Sequence, residues 1–562
     1  MIAALLARSG VSQVVLSPGS RDVPLIMALE RYPDIATHVV IDERSAGFIA
    51  LGMAVASGNP VALVCTSGTA PLNYGPALAE AFYQHIPLIA ITADRPAEWI
   101  DQADSQTIIQ PGIFANYTKG TFDIPAESDD SDRMWHINRM INDAINTAVA
   151  DEPGPVHINV HLTDPLGEEI EVDCDIEMDD FRYIERPFVP VNAGMLFEEL
   201  GELMEPPAKV LVVVGYMKPH NGLEPMLREL SRRPNIVVMQ EAQSCINGHG
   251  EFITNIDATL RCAGDDTSLD PDIIITLGGA ITSAALKSKL RKLPPQTEHW
   301  IIAQSTKAVD TFRHASRIIP CPEWNFLNEI CSFIKKRKPG NATGYKTGWF
   351  QASKRAHTAT VKASKTVEWS DFRAMGCIMR NFPRKAWMHI GNGMAVRYLQ
   401  YLDYGKAFNV TCNRGVSGID GSTSTAIGVA SANGAEMPTV LITGDMSMQY
   451  DIGALATSPM PENLKIVVLN NGGGGIFRFI KTTRSLDELD KCLACKLNLP
   501  LADIAPAFGF RYMAAANEKE LAAAMRKLAS VSSGPVILEV ITDGSVSAQV
   551  FTEFIKTKLT IQ

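Results

Sequence analysis

Short, uniformly apolar runs recur along this chain, separated by longer stretches in which apolar positions return at helical spacing. One set lies at 13–16, 39–41, 61–65, 87–91 and 156–160, a second at 210–214, 236–239, 272–277 and 299–302, and a third at 387–390, 408–411, 440–443, 465–469 and 535–540. Runs of this kind lack the alternation of a half-solvated strand and suit parallel sheets covered by helices on both faces. The intervening stretches, such as 223–232 and the one opening at Glu43, supply crossover helices, so strand and helix alternate in the doubly wound manner. The expected fold is therefore α/β, three doubly wound, mainly parallel-sheet domains at 1–165, 190–335 and 364–562.

Two aperiodic tracts separate these domains. The acidic GEEIEVDCDIEMDDFRYIERP ends at Pro187, and the basic KKRKPGNATGYKTG covers 335–348; both read as surface linkers. A length of 562 residues with 46% apolar composition fits several ordinary cores. The net charge of −11, with no basic block, argues against nucleic acid or an anionic membrane as partner. No apolar run approaches the roughly 20 residues a bilayer demands, and MIAALLARSG has no basic leader region, so a cytoplasmic location is expected. Ten cysteines are sparse at this length and mostly sit in apolar runs, where they act as small hydrophobes. The single CxxC, Cys492 to Cys495, lacks the second pair or clustered histidine that zinc requires.

Chemistry concentrates where two runs of the last set end. The run 440–443 stops at Gly444-Asp445-Met446, with helical spacing expected over 451–458, and the run 465–469 stops at Asn470-Asn471 before four consecutive glycines. Both turns fall at the carboxyl edge of one sheet, where α/β proteins bind ligands and where bare glycine backbone approaches phosphates. The Asp445 carboxylate and the Asn471 side-chain oxygen are suited to share one hard cation with a diphosphate, and magnesium takes such oxygen sets. The plain alternative is a surface turn followed by a flexible glycine loop.

The Gly-Asp turn, the 26-residue step and the Asn-Asn-Gly loop resemble the diphosphate-binding signature of thiamine-diphosphate enzymes. Further motifs, SPGSRDVPL, DERSAGF, CTSGTA, ITADRPAE and GPVHINV, resemble the 2-succinyl-5-enolpyruvyl-6-hydroxy-3-cyclohexene-1-carboxylate synthase (MenD) family of menaquinone biosynthesis over nearly the whole chain. The resemblance implies thiamine diphosphate with Mg2+ or Mn2+ as cofactors, and residues 1–165 as the pyrimidine-binding, 190–335 as a central and 364–562 as the diphosphate-binding domain. It implies a homodimer or homotetramer with the site across the subunit interface. It also implies decarboxylation of 2-oxoglutarate followed by conjugate addition of the succinyl-semialdehyde unit to isochorismate. An acetolactate-synthase-like or other 2-oxoacid ligase or decarboxylase is the alternative, needing fewer arginines. A non-catalytic scaffold would have lost Glu43 or Asp445.

By the same resemblance, Glu43 is the catalytic carboxylate that bonds the cofactor's aminopyrimidine ring and favours its imino form. By position alone it equally suits a helix start. Gly444, Asp445, Met446, Asn471 and Gly473 are implied to hold the diphosphate, with Asp445, Asn471 and Gly473 on the metal. Ile419 is implied as the apolar buttress between the cofactor rings and Ile476 and Phe477 as site walls, though all three also suit ordinary core. Ser20, Arg21, Arg95, Gln106, Arg397 and Arg414 are implied to bind substrate, Gln106 also acting in catalysis. Singly these read as solvated loop residues or a helix cap; guanidinium forks nevertheless match the carboxylates of polyanionic substrates. One departure stands out: where relatives place a basic pair after the run at 273–277, this chain has Ala284 and Ala285, with Lys287 about one turn on, so weaker substrate affinity is expected.

Overall fold

The computed structural model describes residues 1–126, 130–150, 152–163, 182–185, 194–219, 221–248, 250–305, 309–338, 344–402, 409–528, 534–557 and 559. Three sheets organise it. The first contains β1 (Gln13–Ser17), β2 (Ala36–Val39), β3 (Val61–Cys65), β4 (Leu88–Asp94), β5 (Thr121–Ile124) and β6 (Val156–His161), in the order β2-β1-β3-β4-β6-β5, with every pairing parallel. The second contains β7 (Val210–Val214), β8 (Ile236–Gln240), β9 (Ile273–Leu277), β10 (Glu298–Ala303) and β11 (Ala315–Pro320), in the order β11-β10-β9-β7-β8, again parallel. The third contains β12 (Trp387–Ile390), β13 (Val410–Thr411), β14 (Thr439–Gly444), β15 (Leu464–Asn470), β16 (Arg511–Ala515) and β17 (Val536–Ile541), in the order β13-β12-β14-β15-β17-β16. Three doubly wound α/β sheets are thus the architecture the apolar runs imply.

The chain gathers into two compact units, one of Met1–Val189, Asn413–Glu436 and Tyr450–Leu464, the other of Pro190–Cys412, Met437–Gln449 and Lys465–Gln562. In the first unit the helix Glu43–Ser57 crosses the helix Ser422–Asn433 at backbone contact. A Cβ on Gly52 would lie 2.1 Å from the Thr425 carbonyl oxygen, and one on Gly428 would lie 2.0 Å from that of Ile49, so only glycine permits this crossing. In the second unit the central and last sheets share one apolar cluster that includes Leu211, Ile274, Trp349, Phe372, Val440 and Val467.

The structure corrects several expected boundaries. β2 occupies Ala36–Val39 rather than 39–41, because Ile41 is 83% exposed and lies beyond the strand. β5, β11 and β16 escaped the apolar pattern altogether; each is an edge strand with few fully buried positions. The expected helix at 451–458 is instead a helix Asp445–Tyr450 followed by a 3-10 turn, Ile452–Ala456. Asp451 explains the break: it is fully buried and accepts hydrogen bonds from the Ser424 N–H (2.7 Å) and Oγ (2.8 Å), capping the neighbouring helix rather than opening its own. The second expected linker is shorter than 335–348, since the helix Gly344–Thr366 begins within it. Tyr345 and Trp349, one turn apart, are both buried, so the amphipathic period runs back into the basic tract. Most of the acidic tract, and residue 408 at the expected start of β13, lie outside the described residues.

Candidate active site

The loops at the carboxyl edge of the first sheet carry one half of the candidate residues. After β1, Ser20 is exposed, whereas Arg21 is buried and its guanidinium donates to the Leu162 carbonyl at 3.2 Å. After β2, Asp42 caps the helix Glu43–Ser57 by accepting from the Arg44 N–H (3.1 Å) and the Ser45 Oγ (2.7 Å). Helix capping therefore falls to Asp42, leaving the half-buried Glu43 carboxylate available for other work. Burial above all raises the Glu43 pKa, and the neighbouring Asp42 charge adds to this. Asp22, which sequence reasoning passed over, is fully buried; its Oδ1 accepts from the Gly19 N–H at 2.8 Å. Desolvation pushes its pKa up to about 6, with the Glu43 charge adding to the shift.

Arg95 and Gln106 follow β4. The Arg95 guanidinium is ion-paired to Asp104 at 2.9 Å and donates to the Ser105 carbonyl at 3.1 Å. Its own carbonyl accepts from His161, whose other ring nitrogen bonds Asp123 at 3.1 Å. Gln106 adopts φ +60, a left-handed conformation rarely taken by a side chain of this type. It is fixed there by reciprocal bonds: Gln106 Nε2 donates to the Ser67 carbonyl (3.2 Å), and Ser67 Oγ donates to the Gln106 carbonyl (2.9 Å). Gly68 lies beneath at φ +82, where a Cβ would meet Gln106 Cγ at 2.8 Å. Strained backbone held by its surroundings is a feature of functional sites. In the same unit, Arg414 is half-buried and Ile419 is 37% exposed, so Ile419 is not core.

The other half lies at the carboxyl edge of the third sheet. Asp445 opens its helix directly from β14 and is 2% exposed. Its Oδ1 accepts from the Met446 N–H (2.8 Å), and its Oδ2 from the Gly472 (2.9 Å) and Gly473 (2.8 Å) N–H groups. These bonds fold the glycine loop back onto the first turn, with Gly472 at φ +81 and Gly473 at φ +143. Burial pushes the Asp445 pKa up to about 6 against the lowering effect of the three backbone bonds. Asn471 Nδ2 donates to Asp371 at 2.7 Å, which fixes the orientation of the amide. Its buried Oδ1 has no hydrogen-bond partner among the described residues. The Gly473 carbonyl accepts from the Gly475 N–H at 2.9 Å, which uses one of its two lone pairs. Gly444, Met446, Ile476 and Phe477 are all half-buried around this turn. Arg397, on the helix Met394–Leu399, donates to the Gly393 carbonyl and lends its charge to the buried Asp257.

A carboxylate offers about four lone-pair sites, and three backbone bonds leave Asp445 one. That position, the orphaned Asn471 oxygen and the second lone pair of the Gly473 carbonyl are the oxygen acceptors left unused at this turn, a set with a single carboxylate. Such a set fits magnesium completed by phosphate oxygens. Among the described residues no group of three or more His, Cys, Asp or Glu side chains is arranged to hold a metal ion, and Cys492 and Cys495 are exposed. Asp371 was missed because a single aspartate at the first turn of a helix carries only a capping signal; nothing in its local sequence points to Asn471.

Residues 1–113 match the family model of the thiamine pyrophosphate enzyme N-terminal TPP binding domain, and residues 391–540 match that of the C-terminal TPP binding domain. Over almost their full lengths, three curated bacterial proteins are similar to this chain, each named 2-succinyl-5-enolpyruvyl-6-hydroxy-3-cyclohexene-1-carboxylate synthase. The Porphyromonas gingivalis protein is 38% identical, covering 98% of this chain and 95% of its own. The Flavobacterium psychrophilum protein is 37% identical, covering 97% and 96%. The Bacteroides thetaiotaomicron protein is 32% identical, covering 98% and 97%.

Proposed function

Because this chain belongs to the 2-succinyl-5-enolpyruvyl-6-hydroxy-3-cyclohexene-1-carboxylate synthase family, we propose that it is the thiamine-diphosphate-dependent transferase of menaquinone biosynthesis. It joins the succinyl-semialdehyde unit left by decarboxylation of 2-oxoglutarate to isochorismate. The observation that supports the cofactor site is the orphaned, buried Oδ1 of Asn471, in the glycine loop whose next amide donates to Asp445 at the edge of the third sheet. Full-length likeness to proteins of one name favours this reading over an acetolactate-synthase-like one.

Bound thiamine diphosphate supplies the nucleophilic, electron-accepting chemistry that releases carbon dioxide from a 2-oxoacid. Asp445, Asn471 and the Gly473 carbonyl would hold Mg2+ or Mn2+ at the diphosphate end of the cofactor, while Gly444, Met446, Ile476 and Phe477 would wall that end. Ile419, too exposed for a core residue, presents an apolar surface to the cofactor. Glu43 holds a proton at its carboxyl group for the aminopyrimidine ring, and its raised pKa suits that exchange. Ser20, Arg21, Arg95, Arg397 and Arg414 bind the substrate carboxylates, and Gln106 orients the reacting groups from its fixed backbone.

We assign residues 1–165 to pyrimidine binding, 190–335 to a mainly structural role and 364–562 to diphosphate binding. The working protein is a homodimer or homotetramer whose two half-sites meet across subunits, in the cytoplasm. Among the described residues no helix is long and apolar enough to cross a membrane.

Calorimetric titration with thiamine diphosphate and magnesium, followed by a product assay, tests this reading. Saturable binding that vanishes in Asp445→Ala but persists in Cys492→Ser is expected, with isochorismate consumed only when 2-oxoglutarate is present. Turnover of pyruvate alone, or equal cofactor affinity in Asp445→Ala, would overturn it.

A further inference from the structure

The segment bearing Arg414 and Ile419 is held by a carboxylate that the proposed chemistry does not use. Glu80, on the helix Gly75–Gln84, is 1% exposed. Its Oε1 accepts from the Gly415 N–H at 2.6 Å and its Oε2 from the Val416 N–H at 2.8 Å, and the Ser417 N–H also bonds the carboxylate. Three consecutive amides converging on one anion form a nest, a concavity that binds negative charge. Ser417 adopts φ +66, a conformation uncommon for a residue with a side chain. The Gln84 amide donates to the same carboxylate, fixing it from its own helix. Gly415 is required by the approach, since a Cβ there would lie 2.6 Å from the Glu80 carbonyl oxygen.

A buried carboxylate with this many donors is costly to desolvate, and the bonds repay that cost only while the loop keeps one conformation. Arg414 immediately precedes the nest, and Ile419 follows it by two residues. We infer that Glu80 is a positioning residue of the synthase: by gathering the amides of Gly415, Val416 and Ser417 it sets the backbone from which Arg414 meets a substrate carboxylate and Ile419 meets the cofactor. The inference rests on those two residues having the roles proposed above. Glu80 itself touches neither substrate nor cofactor and acts only through the loop.

Amide hydrogen exchange on the full-length wild-type protein provides a first test independent of catalysis. Protection of at least tenfold at Gly415, Val416 and Ser417 relative to an exposed loop is expected, and exchange at the exposed-loop rate would overturn the inference. The second test compares Glu80→Gln, which keeps the shape but removes one acceptor, with Glu80→Asp, which keeps the charge. Expected in Glu80→Gln are faster exchange confined to these amides and a KM for one carboxylate substrate raised at least tenfold, with kcat changed less than threefold. Glu80→Asp should recover part of the KM. A variant with a lower melting temperature but wild-type KM for both substrates would show a merely structural role and sink the inference. If wild type shows no synthase activity, the proposed function fails, while the exchange result still reports on Glu80 and its nest.

Discussion

Asp371 fixes the Asn471 side chain: the Asn471 amide donates to this buried carboxylate at 2.7 Å, which leaves Oδ1 buried and without a hydrogen-bond partner among the described residues. Asp371 in turn accepts from the Thr542 hydroxyl at 2.5 Å, and its backbone N–H donates to Ser547. A ligand oriented by a second residue loses about 10- to 100-fold in metal affinity when that residue is removed. Asp371→Ala is expected to weaken magnesium-supported binding of thiamine diphosphate by that factor, measured by calorimetry at fixed magnesium. Unchanged affinity would mean that Asn471 is not a ligand.

Glu43→Gln preserves size and helix start, because Asp42 provides the cap. Steady-state turnover should fall by about 100- to 10,000-fold, the usual worth of a positioned acid-base group. Its melting temperature should stay within a few degrees of wild type. Near-full turnover with saturating cofactor would remove the proton role.

His161 is expected to make a pH-dependent contribution to stability, greatest at low pH. Its bond to Asp123, with the Arg95 carbonyl on its other nitrogen, raises its pKa to about 9 against the opposing effect of burial. A raised folded-state value means that the contribution is complete below the unfolded value near 6.5 and is lost as pH rises through about 9. Wild type should therefore lose about 1–3 kcal/mol between pH 6 and pH 9.5 relative to His161→Gln, a range set below the full shift because Asp123 is 44% exposed. Urea unfolding at the two pH values measures it, and parallel losses in both proteins would refute the assignment.

The structure separates Ala284 and Ala285, where the resemblance leads to the expectation of a basic pair. Ala284 is exposed at the first turn of the helix Ala284–Leu290, whereas Ala285 packs against the apolar cluster of its unit. The double substitution Ala284→Lys, Ala285→Arg would place a charge against that cluster, so Ala284→Lys is the informative variant. It should lower the KM of a dianionic substrate about two- to fivefold, the worth of an exposed ion pair. If no KM moves, this helix does not reach the site.

The central strands of all three sheets were readable in the sequence because they are buried on both faces, so their apolar runs appear without reference to any partner. β7 and β9 occupy the centre of the second sheet, and their runs match to within a residue. The turn chemistry was equally local: Gly444-Asp445 and Asn471 with its glycines sit at strand ends that the pattern itself marks. Edge strands such as β2, β5, β11 and β16 were misplaced or missed because one side of each meets solvent or loops, and half-buried positions leave no continuous apolar signature.

Residues that act through distant partners belong to tertiary structure alone. Asp371 bonds Asn471 from 100 positions away, Glu80 gathers amides more than 330 positions on, and Asp451 caps a helix that starts before it in the chain. Each is an isolated acidic residue in a helical or turn context, where a solvated surface carboxylate has the same local sequence. Only the fold decides that such a carboxylate is buried, and burial obliges it to find donors, since an unpaired charge in the interior costs more than the chain can sustain. The central strands of the three sheets and the family were legible in the residues alone; the packing decided which carboxylates are buried and which loops they hold in place.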